Sequence, residues 1–320
     1  MTGQWVAAST GVVGLALALD LVVAEPPTAL HPVAWFGRLV APLDRDWAHP
    51  RLLGLLGALV LPLGAAGTVG GVVAVASRSG LLASAAGAGT ALFLTTSFRR
   101  LLTTAGTVSA ATDTDLSRAR ADLRALAGRD ASSLSAGQVR SAAVESAAEN
   151  LADGLVAPLC ALAVGGAIPL AIGTSPALAL ATGAALAVWV KAVNTMDSML
   201  GYRSKPVGWA PARLDDFVMW VPARASALLL ATAALAPTSL TRASRWVPGV
   251  PSPNSGWPMG VLAAALDVRL EKPGVYVLNP DGALPSVALA RRGVRTVAVA
   301  GLLAYVVAAA VLALPEVMLS

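Results

Sequence analysis

Gly154-Leu-Val-Ala-Pro-Leu-Cys-Ala-Leu-Ala-Val-Gly-Gly-Ala-Ile-Pro-Leu-Ala-Ile-Gly-Thr-Ser-Pro-Ala-Leu-Ala-Leu-Ala-Thr-Gly-Ala-Ala-Leu-Ala-Val-Trp-Val190 runs for 37 residues without a formal charge. A bilayer-crossing helix needs about 20 apolar residues, so this run is too long for one. Gly173-Thr-Ser-Pro176 interrupts it with a turn signal. The stretch therefore predicts two membrane helices joined as a hairpin.

The same pattern recurs outward from it. Leu52–Ser77 and Ser79–Phe98 are charge-free and separated by Arg78, and Thr296–Leu314 lies between Arg295 and Pro315. Residues 5–23 are apolar, but no basic segment precedes them and Asp20 breaks the far end. They predict a retained span rather than a cleaved signal peptide. Spans are expected near 5–23, 52–76, 80–97, 155–172, 176–190 and 296–314. The 17 residues Ala225–Thr241 predict a short or re-entrant segment. Ala, Gly, Ser and Thr are abundant in all of these, as close helix packing in lipid requires. The fold class expected is all-α: a polytopic membrane protein with a helical insert at 97–153, irregular polar loops and no sheet.

Composition agrees. The chain has 320 residues, 56% apolar and 13% charged, with mean hydropathy +0.69. Soluble domains average about 45–50% apolar and about 25% charged, which excludes an ordinary cytosolic globule or a disordered chain. A single cysteine, Cys160, rules out an internal disulfide and a Cys-rich zinc site. Two histidines, His31 and His49, are too few for a histidine-rich metal cage.

The 23 cations gather in segments: three in 25–51, one in 77–80, seven in 97–153, five in 191–224 and seven in 242–295. Positively charged loops stay in the cytoplasm. The expected topology has the N-terminus outside and 25–51, 97–153 and 191–224 inside. A non-crossing 225–241 then keeps 242–295 cytoplasmic. The net charge of +5 reads as topology plus anionic substrates. Nucleic acid is not expected, because no Lys/Arg run interleaves with aromatics.

Within the insert, Asp113-Thr-Asp115 predicts a helix start and Arg118 to Leu126 a helix. Gly128-Arg-Asp-Ala-Ser-Ser predicts a turn, and Ala136–Asp153 the next helix.

Five polar constellations carry the chemistry. In Val144-Glu-Ser-Ala-Ala-Glu-Asn-Leu-Ala-Asp-Gly, spacing i, i+4, i+8 puts Glu145, Glu149 and Asp153 on one helical face. Asn150 adds a neutral oxygen. Such a face suits a hydrated Mg²⁺ carrying phosphate; the plain alternative is a solvated acidic face. In Lys191-Ala-Val-Asn-Thr-Met-Asp-Ser-Met-Leu-Gly-Tyr, one face holds Lys191, Asn194 and Ser198, with Asp197 beside them. Snorkelling by Lys191 and helix termination at Gly201 are the bland reading. In Gly208-Trp-Ala-Pro-Ala-Arg-Leu-Asp-Asp-Phe, Arg213 can pair with Asp216, leaving Asp215 for a metal or an amine; Arg224 follows. Arginine is the natural fork for carboxylate or phosphate. Ser252-Pro-Asn-Ser-Gly-Trp-Pro is an irregular loop in which Asn254, beside Gly256 and Trp257, can hold an anion or amide. Lastly, Asp20 to Arg38 contains Glu25-Pro-Pro and His31-Pro. An acid at the end of a span is a functional candidate by default; His31 alone is more often structural. Walker-type, His-Glu-x-x-His and Gly-x-Ser-x-Gly motifs do not occur, so a nucleotide needs some other cradle.

Taken in order, Val144–Pro158, Lys191–Tyr202, Gly208–Asp216 and Ser252–Pro258 resemble the CobD/CbiB family of adenosylcobinamide-phosphate synthases. The resemblance runs nearly end to end. It departs at Ala24-Glu25-Pro26, where the family usually reads Gly-Asp-Pro, and around 203–207, which looks shortened. It implies a multi-pass enzyme of the bacterial inner membrane with a cytoplasmic site. The reaction implied joins adenosylcobyric acid to (R)-1-amino-2-propanol or its O-phosphate, using ATP and Mg²⁺. Implied partners are those substrates, membrane lipids and other late corrinoid enzymes.

On that basis Glu145, Glu149, Asp153 and Asn150 are expected to hold Mg²⁺. Lys191, Arg213 and Arg224 would hold phosphate and carboxylate, and Asp215 or Asp216 would be the amine's base. Asn194, Asp197, Ser198, Asn254, Gly256, Trp257, Glu25 and His31 would line the substrate. Two other classes fit the composition: an intramembrane Mg²⁺-dependent transferase on a lipid diphosphate, and a corrinoid transporter or scaffold.

Overall fold

The structure is a computed structural model that describes residues 2–128, 130–202 and 204–319. In chain order its helices are α1 (Thr2–Val23), α2 (Pro32–Val40), α3 (Pro50–Ala76), α4 (Leu81–Thr95), α5 (Phe98–Ala111), α6 (Leu116–Asp122) and α7 (Ala136–Leu151). A π-helical turn, Ala152–Val156, leads into α8 (Ala157–Ala171). After it come α9 (Pro176–Leu200), α10 (Trp209–Val218), α11 (Trp220–Ala233), α12 (Thr238–Ala243) and α13 (Gly256–Leu266). A hairpin of β1 (Leu270–Lys272) and β2 (Tyr276–Leu278) precedes α14 (Val287–Leu319).

Six helical stretches are long and apolar enough to cross a membrane: Gln4–Val23, Pro50–Ser79, Leu81–Ala111, Ala136–Ala171, Pro176–Leu200 and Val287–Glu316. This is an all-α polytopic membrane protein, as its apolar runs predict. The helices do not stop where charge begins. α9 carries Lys191 and Asp197 on an unbroken cylinder, and α14 begins before Arg291. The third stretch breaks at Thr96, whose extended backbone ends α4. Residues 225–241 form no single helix. α11 is 14 residues long, roughly 21 Å at 1.5 Å per residue. Leu235 at φ 52 then turns the chain into α12.

The hairpin is the one departure from fold class. Lys272-Pro-Gly-Val supplies its turn, with Pro at the second position and Gly274 at φ +74. That is a type II turn signal, and the residues on either side alternate only briefly.

By packing, the chain divides into two units. One comprises Met1–Ser97, Ala157–Val218 and Tyr305–Ser320; the other, Phe98–Val156 and Met219–Ala304.

In the first unit α1 packs on α4, and α9 is covered by α3, α4 and α8. Ser175 caps α9 and Pro176 opens it, so the predicted turn at 173–176 is where α8 and α9 fold back. Their contact is close because a Cβ at Gly183 would lie 2.7 Å from the Leu162 carbonyl oxygen. The buried stripe of α3 is small (Gly54, Gly57, Ala58, Pro62, Ala66, Val73), while Leu52, Leu55, Leu59 and Leu63 are exposed. That inversion of the soluble pattern is what lipid as solvent dictates. Trp5 donates Nε1–H to the Leu312 carbonyl at 2.8 Å, tying α1 to the end of α14.

The second unit has an apolar core that includes Val108, Leu123, Leu134 and Val139. Asp115 caps α6 by accepting from the Arg118 amide at 2.9 Å, as predicted. Ser135 and Gln138 form a reciprocal capping box on α7. The predicted turn at 128–133 includes Arg129, which lies outside the described residues, as does Arg203 of the shortened stretch.

Candidate functional site

The polar motifs divide between the two units. In the first, the C-terminal part of α9 holds Lys191, Asn194, Asp197 and Ser198, and α10 holds Arg213, Asp215 and Asp216. Asn194 is buried and its Nδ2 donates to Asp215 Oδ1 at 3.4 Å, linking the two helices. Asp215 is therefore engaged and does not stand apart for a metal or an amine, as the sequence reading had it. Arg213 Nη1 meets Asp216 Oδ2 at 3.3 Å, the predicted i, i+3 pair. Arg213 is largely exposed, so the pair contributes little stability, about 0–1 kcal/mol. Burial raises the Asp216 carboxyl above the ordinary carboxylate range, against the opposing pull of Arg213. A half-buried carboxyl shifted upward is what a base for an ammonium proton requires. Ser198 spends its hydroxyl on the Asn194 carbonyl at 2.9 Å.

Two glycines set this geometry. α10 can begin against the end of α9 only because residue 208 lacks a side chain: a Cβ there would lie 1.7 Å from the Leu200 carbonyl oxygen. Gly201 ends α9 with φ −69, not left-handed; a Cβ there would sit 2.8 Å from the Asp197 carbonyl oxygen. Lys205 fastens the connecting segment, reaching Asp44 at 2.7 Å and lying 5.1 Å from the Tyr202 ring centre.

In the same unit, His31 is the N-cap of α2, its Nδ1 accepting from the Val33 amide at 3.2 Å. That use is structural. α2 in turn packs Phe36 and Val40 against Met196 and Leu200 of α9. Glu25 is half-buried just beyond α1, and Asp20 is fully buried near the end of α1.

In the second unit the expected three-carboxylate face is not formed. Among the described residues no three His, Cys, Asp or Glu side chains lie close enough to hold a metal ion. One cause is visible: Glu145 is fully buried and accepts from Ser141 Oγ at 2.6 Å and from Tyr276 OH at 2.7 Å. Asp153 lies in the π turn, whose i→i+5 bonding puts an extra residue into the helix. Asn150 spends its amide on its own helix, donating Nδ2–H to the Ser146 carbonyl at 2.9 Å. Glu149 and Asp153 are half-buried. A resident Mg²⁺ cage of three carboxylates does not fit the described residues.

Glu145 instead belongs to a clamp that the sequence reading missed. Ser141 Oγ accepts from the Glu271 amide at 2.8 Å, and Gln138 Nε2 donates to Glu271 Oε1 at 3.0 Å. Arg269 Nε closes the chain on Glu271 Oε2 at 2.6 Å. The clamp fixes the β-hairpin to α7, across more than 130 residues of sequence. Only the Lys272-Pro-Gly-Val turn announces it in the sequence.

Two separate motifs do meet in this unit. Arg224 of α11 donates Nη1 to Asn254 Oδ1 at 2.6 Å and to the Trp220 carbonyl at 3.1 Å, and Nη2 to the Pro253 carbonyl at 3.2 Å. Its guanidinium lies 4.6 Å from the Trp220 ring centre and 5.7 Å from that of Trp257. Asn254 is buried, its amide resting on Ser252 Oγ at 3.2 Å. Gly256 opens α13 and packs against Val250. Trp220 was not foreseen, although it stands four residues before Arg224 on the same helix.

The family model described as CobD/Cbib protein matches residues 13–297, a range that contains all of these motifs. The chain belongs to the CobD/Cbib family. It is 35% identical over 285 residues to the probable cobalamin biosynthesis protein CobD of Methanothrix thermoacetophila, covering 85% of this chain and 86% of that protein. It is 36% identical over 281 residues to the cobalamin biosynthesis protein CobD of Pelobacter propionicus, covering 83% and 81%. A third CobD/Cbib relative, the cobalamin biosynthesis protein CobD of Klebsiella pneumoniae, is 36% identical over 279 residues, 81% of each chain. No solved structure matches.

Proposed function

We propose that this protein acts in cobalamin biosynthesis as an adenosylcobinamide-phosphate synthase. It would join a side-chain carboxylate of adenosylcobyric acid to (R)-1-amino-2-propanol or its O-phosphate. The observation that carries the reading is the family match over residues 13–297, which takes in every polar motif. The surroundings of Asp216 support it chemically.

An amide does not form from a carboxylate and an ammonium in water without activation. ATP as co-substrate would place a phosphoryl or adenylyl group on the carboxylate oxygen. The amine nitrogen then bonds to the acyl carbon, the acyl carbon–oxygen bond breaks, and phosphate or AMP departs. The nitrogen must lose a proton, which Asp216 takes. Asn194 keeps Asp215 in place, and Lys191 and Arg213 supply positive charge in the same unit. Arg224, with Asn254 and Trp257 around it, would hold a substrate oxyanion. Glu149 and Asp153 would be the candidates to hold Mg²⁺ accompanying a nucleotide, which would neutralise phosphate charge. The enzyme works in the inner membrane, with its polar segments toward the cytoplasm.

Reconstitution with adenosylcobyric acid, Mg²⁺-ATP and each amine, read by mass spectrometry, tests this. A corrinoid of mass increased by the amine less water is expected. No new corrinoid with either amine would refute the proposal. Turnover of a lipid diphosphate, indifferent to corrinoid, would put the transferase reading in its place.

A further inference from the structure

Arg224, like Arg120 on the Leu134 carbonyl, meets neutral oxygens, whereas three other arginines of its unit meet carboxylates. In the same unit Arg140 is paired with Asp113, Arg242 with Asp267 and Arg269 with Glu271. Arg224 is half-buried, yet its hydrogen-bond acceptors are three neutral oxygens: two backbone carbonyls and the Asn254 amide. Those bonds use both Nη1 hydrogens and one on Nη2. Nη1 meets Asn254 and Nη2 meets the adjacent Pro253. Among the described residues nothing accepts from Nε or from the other Nη2 hydrogen. This is the edge on which arginine presents two parallel donors, matched to carboxylate or phosphate.

The rest of the arrangement immobilises that edge. Trp220 and Trp257 both lie within cation–π range of the guanidinium. Asn254, buried, fixes the far end. Trp220 remains 56% exposed, a large indole left beside a cation with room for a further group. Holding a cation half out of water with only neutral partners is costly, and an anion supplied by a ligand offsets the cost.

We infer that Arg224, held by Trp220, Asn254 and Trp257, is a fixed receptor for a substrate oxyanion, bound side-on through Nε and Nη2. The inference rests on the proposed function for the identity of the substrates, but not for the receptor itself. Trp220 and Asn254 are its positioning residues. A carboxylate or a phosphoryl group satisfies the same fork, so the source of the anion is an experimental question.

The full chain in detergent micelles is titrated calorimetrically, separately, with adenosylcobyric acid, Mg²⁺-ATP and 1-amino-2-propanol O-phosphate. No turnover is needed. Arg224→Lys keeps the charge and removes the fork. It should weaken one of the three by about 10–100-fold, the worth of a charge-assisted bidentate contact, and leave the others within about twofold. The weakened ligand names the source. Trp220→Ala should weaken the same ligand by roughly three- to tenfold, with Trp220→Phe restoring most of it. Asn254→Asp supplies an internal carboxylate and should weaken that ligand too, while thermal unfolding stays unchanged or rises. Equal affinities for all three ligands in wild type and Arg224→Lys overturn the inference, as does an affinity for none of them in wild type. Loss of binding in a protein that forms no amide would uphold the receptor and sink the proposed function; normal turnover and KM in Arg224→Lys would do the reverse.

Discussion

Replacing Tyr276 by Phe removes one hydroxyl from a carboxylate that has no access to solvent. Glu145 is fully buried and the phenolic bond is 2.7 Å long. A hydrogen bond to a charged group contributes about 1.5–3 kcal/mol. The phenol end is part-buried, so water compensates for some of the loss, and the low end of the range applies. Tyr276→Phe should therefore destabilise by about 1.5 kcal/mol, roughly tenfold in the folding equilibrium. Ser141→Ala removes a second donor to Glu145 and also the acceptor of the Glu271 amide, and should cost about 2–3 kcal/mol. Together they strip two donors from one buried charge, so the double variant should depart from additivity by at least about 0.5 kcal/mol. The assay is denaturant unfolding in mixed micelles for the four proteins of the cycle. Glu145→Gln adds the discriminating arm. Any shift in unfolding midpoint that Mg²⁺-ATP produces should persist in it, because Glu145 holds the hairpin and not the metal. A Tyr276→Phe effect below about 0.5 kcal/mol, or loss of the Mg²⁺-ATP response in Glu145→Gln alone, would refute the clamp.

Glu149→Gln or Asp153→Asn should abolish corrinoid product while membrane insertion, followed by fractionation, is unchanged; full activity in both removes these two from the metal-facing role. The rate should fall on acidification through the raised pKa of Asp216, since the base must be ionised. Removing Arg213 removes a pull that lowers that pKa, so Arg213→Gln should move the acid limb of the pH–rate profile to higher pH, whereas Asp216→Asn should abolish that limb. Gly208→Ala places a methyl where the Leu200 carbonyl stands and should eliminate folded protein in size-exclusion chromatography, while Gly249→Ala, facing open space, should behave as wild type.

What the sequence made legible was whatever depends on composition over twenty or so residues. The span count, the Gly173–Pro176 hairpin turn and the Asp115 cap all follow from local pattern. So does the Arg213–Asp216 pair, which is a matter of helical spacing. Contacts between distant segments were not legible: Arg224 to Asn254, Asn194 to Asp215 and Tyr276 to Glu145 are separated by 30, 21 and 131 residues. Each is a single hydrogen bond between polar side chains, and no periodicity marks its partner. Charge also misled. It was taken to end the spans, but lysine, asparagine and aspartate near the end of α9 cost little when they face protein and can reach the interface.

The π turn at Ala152–Val156 shows why helical spacing alone cannot assign this site. In a uniform α-helix Glu145, Glu149 and Asp153 would share a face, three like charges four residues apart, each pair repelling its neighbour. The structure answers part of that repulsion: Glu145 is drawn inward, where the hydroxyls of Ser141 and Tyr276 meet its charge. Asp153 lies within the π turn itself. Turns of this kind are uncommon and recur at functional positions, and this one falls inside one of the four motifs, Val144–Pro158. The turn adds one residue, so an uninterrupted α-helix through these residues would change how everything before it faces relative to everything after it. Deleting Ala152 should therefore regularise the helix yet abolish activity, whereas an Ala152→Gly variant, which keeps the residue count, should retain the turn and the activity. Amide formation by both variants, normalised to folded protein, separates a functional turn from an incidental one.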